Sequence, residues 1–361
     1  MNQKDSNKKV LIAPLDWGLG HTTRCIPIIS DLLKNNIEVI FCGEEPSATI
    51  IKNEFPTIEI LYLKGYKIRY SKNRNLFFIK IMLQIPRIIK AIKHENKWLQ
   101  QVVKARKVDA VISDNRMGFY NKQIPSVYIT HQLSIRTGNS FLDKILQRIH
   151  YYYINKFNVC WVPDSFSEYN MAGSLSHPKK YPQSPVQYIG PLSRFNKTVE
   201  KKKYSIAIVL SGPEPQRTIL ENIIFKQIVE IKEPVIIVRG LPITKEKIKT
   251  TNSNIIQHNH LAGHELCEVM QQSEVVIARS GYSTIMDLIT IQQKAILIPT
   301  PGQTEQEYLA EYLFKKNIFF TARQDEFILE KAVIASHEFK YSNIHIQPSY
   351  TSVLSAWLKE I

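Results

Sequence analysis

Short unbroken apolar runs alternate along this chain with longer stretches in which apolar positions recur every three or four residues, a pattern that predicts strands and helices in βαβ succession. Val10 to Pro14 is the first run, Ile26 to Leu33 has helical spacing, and Val39 to Cys42 is the next strand. Further strands are predicted at Asp109–Asp114, Ser126–Ile129, Asn158–Pro163 and Val186–Ile189, with a helix over Phe141–Asn155 and with Asp164-Ser165 capping the element after Asn158–Pro163. Phe195 to Lys203 is polar and lysine-rich and interrupts the pattern. A second series then opens with strands at Ser205–Leu210, Pro234–Arg239, Asn254–Gln257, Glu274–Ala278 and Ala295–Pro299, and a helix begins near Ser283. The reading is an α/β protein of two domains, 1–195 and 204–340, joined by a linker at 196–203. Residues 341–361 form a tail, in which Tyr350 to Glu360 reads as a helix crossing back to the first domain.

Composition adds three constraints. At 361 residues the chain is long enough for two cores. No run reaches about 18 apolar residues and no leader pattern comes after the polar start, so a cytoplasmic protein without a membrane-spanning helix is expected. Cys25, Cys42, Cys160 and Cys267 are far apart and read as small buried hydrophobes rather than a metal or disulfide set. The net charge of +15 is concentrated: between Lys64 and Lys107 stand thirteen basic residues against one acid, Glu95. Leu76, Phe77, Phe78, Ile79, Ile81, Met82, Leu83, Ile85, Ile88, Ile89 and Trp98 are interleaved with them. That segment is either a basic amphipathic anchor for an anionic membrane surface or a solvated face over a packing helix. The apolar positions are mostly aliphatic and no nucleic-acid module is present, so nucleic acid is not expected as a partner.

Candidate chemistry gathers at predicted strand ends. Arg279-Ser280-Gly281-Tyr282-Ser283-Thr284 turns from strand into helix, where unpaired N–H groups and the helix dipole favour an anion. Asp287, one turn on, is placed to accept hydrogen bonds from a ribose diol. Taken alone, Ser-Gly and a later acid also describe an ordinary helix start. The next strand opens into Gly302-Gln303-Thr304-Glu305-Gln306-Glu307, whose Glu305 and Gln306 suit sugar hydroxyls. Near the other end of the chain, Gly18, Gly20, His21 and Thr22 come directly after the first strand. An imidazole of ordinary pKa about 6.5 can take a proton at neutral pH, and a carboxylate on its second nitrogen would orient it. Asp114, at a strand end, is either that orienter or a cap; His131 is a further strand-end contact. His258, His260 and His264 lack the partners of a metal site, and none is expected.

The segments Ser280 to Asp287 and Pro299 to Tyr308 resemble, without a gap, the donor site of MurG-like UDP-sugar transferases, the family 28 C-terminal domain type. Asp287 stands where the family has Glu, and Glu307 where it has a second Gln. The resemblance implies two Rossmann-like domains facing a cleft, the GT-B fold, with the nucleotide held mainly by the second. It makes His21 the base on an acceptor hydroxyl and puts Ser211, Gly212, Gln216 and Arg217 in a second glycine-rich loop, where Pro213 and Pro215 remove N–H donors and Gln216 and Arg217 replace them at phosphate. His260 falls where relatives contact uracil through the main chain. The implied activity is inverting, metal-independent transfer of a hexose or N-acetylhexosamine, as in UDP-N-acetylglucosamine, to a lipid-linked or glycolipid acceptor of the cell envelope. The enzyme would work peripherally at the inner membrane face, with no cofactor beyond the UDP-sugar co-substrate. A nucleotide-sugar hydrolase or epimerase, or a non-catalytic membrane-recruiting subunit, are the alternatives on the same fold.

Overall fold

A computed structural model of the protein describes residues 8–16, 18–66, 74–137, 139–241, 244 and 252–361; of 74–83 and of 230 it describes the backbone only. The chain divides into two compact units. Unit 1 comprises Met1–Phe166, Ser174–Leu192 and Pro348–Ile361, and unit 2 comprises Ser167–Gly173 and Ser193–Gln347.

In unit 1 the elements run β1 (Lys9–Pro14), α1 (Leu19–Lys34), β2 (Glu38–Gly43), α2 (Ser47–Glu54), β3 (Glu59–Tyr62), α3 (Arg74–Arg106), β4 (Ala110–Asp114), β5 (Ser126–Ile129), α4 (Ser140–Ile154), β6 (Val159–Val162) and β7 (Val186–Tyr188). Unit 2 continues with β8 (Tyr204–Val209), α5 (Gln216–Gln227), β9 (Val235–Val238), β10 (Ile255–His258), α6 (Gly263–Gln271), β11 (Ser273–Ala278), α7 (Tyr282–Ile291), β12 (Ala295–Leu297), α8 (Thr304–Lys315), β13 (Phe320–Thr321) and α9 (Leu329–Glu338). The last helix, α10 (Tyr350–Leu358), is again part of unit 1, where Trp357 packs edge-on against Trp161.

Among the described residues every strand pair is parallel, in the orders β3-β2-β1-β4-β5-β6-β7 and β10-β9-β8-β11-β12-β13. Parallel sheets are covered on both faces, which is why the central strands read as unbroken apolar runs. Leu11, Ala13, Ile40, Cys42 and Val111 meet Leu99 and Phe119 on one face of the first sheet. Ile206, Ile208, Val235, Ile237, Val275 and Ile277 meet Leu220, Ile224 and Leu329 in the second. Each buried Val, Leu, Ile or Phe among them contributes about 1.5–3 kcal/mol by leaving water. All four cysteines are free and buried in these interiors.

Both sheets reverse their strand order once, between β1 and β4 and between β8 and β11. Open α/β sheets bind ligands beyond the strand ends at such a point. There Pro14 pairs with Asp114, and Leu15 N–H donates to the Asp114 carbonyl at 2.8 Å.

Helix α1 begins at Leu19, ahead of the apolar spacing that starts at Ile26, because Gly18 takes φ +81° and turns the chain directly off β1, so that His21 stands at the mouth of the helix, in its first turn. Two expectations are corrected. Glu305 and Gln306, expected in the loop that opens after the strand Ala295–Pro299, lie with Glu307 in the first turn of α8. Asp164 and Ser165 cap no α-helix: the chain bends onward to a 3-10 turn at Gly173–Leu175, and the Asp164 carboxylate accepts from Ser165 N–H and from Ser176 Oγ.

The second half of the basic segment lies among the described residues. Along α3, Arg87, Lys90, Lys93 and Lys97 are exposed while Ile92, Glu95 and Leu99 are buried. Lys67, Arg69 and Lys72, and the side chains of Arg74, Lys80 and the Leu76–Leu83 apolar run, lie outside the described residues. Among the described residues no helix is long and apolar enough to cross a membrane.

Candidate active site

The first constellation belongs to unit 1. Placing His21 in the opening turn of α1 brings its Nδ1 to 3.2 Å from Asp114 Oδ2 at the end of β4. Arg24, three residues along the same helix face, binds both oxygens of that carboxylate: Nε donates to Oδ2 at 2.5 Å and Nη2 to Oδ1. Its Nη2 also lies 2.8 Å from His21 Nδ1, and its Nη1 3.4 Å from His131 Nδ1. Burial and then the Arg24 charge hold the His21 imidazole below its ordinary pKa, with Asp114 opposing them. Burial works to raise the Asp114 carboxyl, but Arg24 and then His21 outweigh it and hold the group below the usual carboxylate range. Thr22 is fully buried and spends its hydroxyl on Ser47 Oγ at 2.6 Å, whereas Gly18 is exposed and Gly20 half-buried. Asp16, in the turn before α1, accepts from Tyr66 N–H at 3.2 Å, and a Cβ on Gly65 would sit 1.9 Å from that carboxylate. Gly65 therefore has no room for a side chain.

The second constellation is in unit 2, beyond the ends of β8, β11 and β12. Gly281 caps α7 without a side-chain bond, so the first N–H groups of that helix have no carbonyl of their own turn to bind. Ser283 and Thr284 stand half-buried in that turn, and the buried Ser280 hydroxyl donates to the Gln306 carbonyl at 2.9 Å. Gly212, at φ +100°, passes close to Thr300, whose buried Oγ1 has no hydrogen-bond partner among the described residues. Ser211 and Gly212 are exposed.

Arg279 lies behind this helix start, 1% exposed. Its Nη2 donates to the Gln216 carbonyl at 2.7 Å and Gln324 Oε1 at 2.6 Å, and its Nη1 to the Ile298 and Pro299 carbonyls at 3.3 Å. Among the described residues it has no acidic partner, and burial lowers its pKa to about 10. A buried cation without a counter-charge is costly, and an anion bound nearby offsets that cost.

Other expected contacts are already engaged. Gln306 Oε1 accepts from Thr300 N–H at 2.9 Å and Glu307 Oε1 from Gly302 N–H at 2.9 Å, so both side chains brace the turn before α8. Glu305 stands beside them, half-buried. Arg217 was expected at phosphate; its guanidinium instead bonds Glu214 at 2.6 Å and Glu221 at 3.1 Å, and Gln216 opens α5 with its Oε1 accepting from Gln324. Arg217 thus has Glu214 and a share of Glu221, which also binds Arg239 at 2.6 Å, whereas Arg279 has no acidic partner among the described residues.

Asp287 accepts from Ser193 Oγ at 2.5 Å. Burial pushes its carboxyl up to about 6, against the Ser193 bond and the Arg194 charge. His260 is exposed as a residue, but partial covering of its ring lowers its pKa, Arg194 next, with Glu265 opposing. Arg194 also fills the space that a Cβ on Gly263 would enter, at 3.0 Å. Sequence reasoning gave no role to Arg24, Arg279, Ser193 or Arg194. A signal existed for the first two, one being three residues beyond His21 and the other adjoining Ser280; the contacts of Ser193 and Arg194 are tertiary. No group of His, Cys, Asp and Glu suited to a metal ion occurs among the described residues.

Comparison with known proteins gives three kinds of likeness. Residues 216–341 match the glycosyltransferase family 28 C-terminal domain. Over 356 residues the chain is 23% identical to the UDP-N-acetylglucosamine–N-acetylmuramyl-(pentapeptide) pyrophosphoryl-undecaprenol N-acetylglucosamine transferase of Clostridium tetani (strain Massachusetts / E88), covering 93% of this chain and 91% of that one. Among solved structures it is similar to MurG of Acinetobacter baumannii, with a TM-score of 0.55 at 12% identity over 99% of this chain and 100% of that one. It is also similar to the glycosyltransferase SnogD of Streptomyces nogalater, with a TM-score of 0.61 at 12% identity over 98% and 100%. These likenesses give the fold as GT-B, two Rossmann-like domains.

Proposed function

From a MurG-like chain that carries the family 28 glycosyltransferase C-terminal domain on a GT-B fold, we propose that it transfers an N-acetylhexosamine or hexose from a UDP-sugar to a hydroxyl of a lipid-linked acceptor, with inversion. The observation that carries this reading is the α7 terminus: a helix start that Gly281 caps without a side chain, so that the N-terminal end of the helix dipole is open to an anion, backed by the uncompensated charge of Arg279, with Asp287 one turn on. The N–H groups hold the diphosphate and stabilise it as the leaving group, and they need no orbital or proton chemistry to do so. Asp287 accepts from the ribose hydroxyls, with Ser193 and Arg194 fixing its carboxylate. Glu305 meets the sugar hydroxyls, while Gln306 and Glu307 hold the turn that presents it.

In unit 1, His21 is the base. Its lowered pKa keeps the ring neutral at pH 7, and Asp114 accepts a hydrogen bond from Nδ1–H, orienting the ring and stabilising the imidazolium, when Nε2 takes a proton from the acceptor hydroxyl. Attack from the face opposite the diphosphate forms the new C–O bond as the old one breaks, which inverts the anomeric centre. The proposed acceptor is drawn from the Clostridium tetani relative, named for a pyrophosphoryl-undecaprenol substrate, and from the exposed Arg87, Lys90, Lys93 and Lys97, which suit an anionic leaflet. The site of action would then be the inner membrane face.

Thermal shift against UDP-, GDP- and TDP-sugars tests the donor. A UDP-sugar at a hundred times its Kd should stabilise unit 2 by about 2.7 kcal/mol, a shift of several degrees, and a larger shift from GDP or TDP would reject uridine. His21→Ala should lower kcat roughly 10²–10⁴-fold with UDP binding intact; unchanged turnover would reject the base. EDTA should leave the rate unaltered. Full-rate UDP release without any acceptor would convert the reading to a hydrolase.

A further inference from the structure

Resting on the assignment of His21 as base, we infer that Arg24 is a positioning residue that decides which imidazole nitrogen of His21 carries the proton. The geometry sets up a competition at one atom. His21 Nδ1 has Arg24 Nη2 at 2.8 Å and Asp114 Oδ2 at 3.2 Å. A guanidinium only donates and a carboxylate only accepts, so a single Nδ1 cannot satisfy both. If Nδ1 accepts from Arg24, the one proton of the neutral ring sits on Nε2. If Nδ1 carries the proton, it donates to Asp114 and faces an Arg24 N–H.

The first arrangement has the shorter contact, and Arg24 already holds both oxygens of Asp114. In the free enzyme Nε2 is therefore protonated. It becomes a base only when Nη2 withdraws, Nε2 loses its proton to water and Nδ1 gains one facing Asp114; the ring's net charge is unchanged. The charged and titratable groups facing His21 are Arg24 on its own helix, Asp114 from β4 and His131 after β5. The Cys25 thiol beside Arg24 is raised by burial and stays neutral. Arg24 is 2% exposed and Asp114 is fully buried, so solvent does not dilute the competition.

The test uses the full chain labelled with ¹⁵N-histidine, His21→Asn serving to assign the resonance. Long-range ¹H–¹⁵N spectra at pH 7.5 should show an unprotonated Nδ1 at His21 in the native protein and a protonated Nδ1 in Arg24→Met. The acid limb of kcat/KM should move to higher pH in Arg24→Met, because the cation that lowers the imidazole is gone while Asp114 remains. Arg24→Lys keeps a charge beside Asp114 without the fork, and the same proton shift is expected there if Arg24→Met does not fold. A protonated Nδ1 in the native protein, or the same tautomer in native and variant, overturns the inference. The spectra need no substrate, so they decide it independently of whether His21→Ala supports the base.

Discussion

A carboxyl titrating near 6 is an unusual choice for holding a ribose, and at Asp287 burial is the cause. In the unfolded chain the group titrates near 3.8, so between that value and about 6 the folded protein binds the extra proton. Stability therefore falls as pH rises through that window, and above it the ionised carboxylate is a net cost. We expect Asp287→Asn to melt higher than the native protein at pH 7.5, with the difference shrinking as pH falls and vanishing only below about pH 4, while its UDP affinity drops about tenfold or more. Native UDP affinity should itself rise between pH 5 and 7, as the carboxylate gains the charge that strengthens hydrogen bonds from hydroxyls. Calorimetric melts and titrations across this pH range would check both, and a lower melting temperature for the variant at pH 7.5 would reject the account. Spacing along the chain puts Asp287 one turn into α7; it carries no trace of Ser193, which meets it from 94 residues away.

At the scale of elements, the order β1, α1, β2 and the ends of β8, β11 and β12 were legible because a strand buried on both faces is a short apolar run with little else in it. The short edge strands β3 and β13 leave no such mark, being half-exposed and therefore mixed in composition. The start of helix α1 is hidden because its opening turn, Leu19 to Arg24, is chosen by chemistry rather than by apolar spacing. One element is fixed by a polar device that no periodicity reports. Arg116, fully buried after β4, binds Glu95 of α3 at 2.6 Å and the carbonyls of Pro14 and Lys64. Glu95 in turn accepts from Tyr66 Oη at 2.7 Å and Gly118 N–H at 3.1 Å. Burial raises the Glu95 carboxyl, with Arg116 the main opposing influence. Removing one partner of a buried pair costs about 3–5 kcal/mol, so Arg116→Met should lower unfolding free energy by that amount in urea titrations. A loss under about 1 kcal/mol would show the clamp to be dispensable.

For the whole molecule, net charge has a location. Arg87, Lys90, Lys93 and Lys97 expose a cationic stripe on α3, and each contributes about 1 kcal/mol beside an anionic leaflet. Changing all four to Gln should weaken co-sedimentation with phosphatidylglycerol vesicles by at least two orders of magnitude and leave turnover on a soluble acceptor unchanged. Equal binding by native and variant chains would remove α3 from the membrane contact. The interior offers a different handle. Three thiols, Cys25, Cys42 and Cys160, are sealed in unit 1 and one, Cys267, in unit 2. None should react rapidly with maleimide while the chain is folded. Pulsed alkylation during slow unfolding, read peptide by peptide in a mass spectrometer, would consequently time the opening of each half from within, without the addition of any foreign reporter.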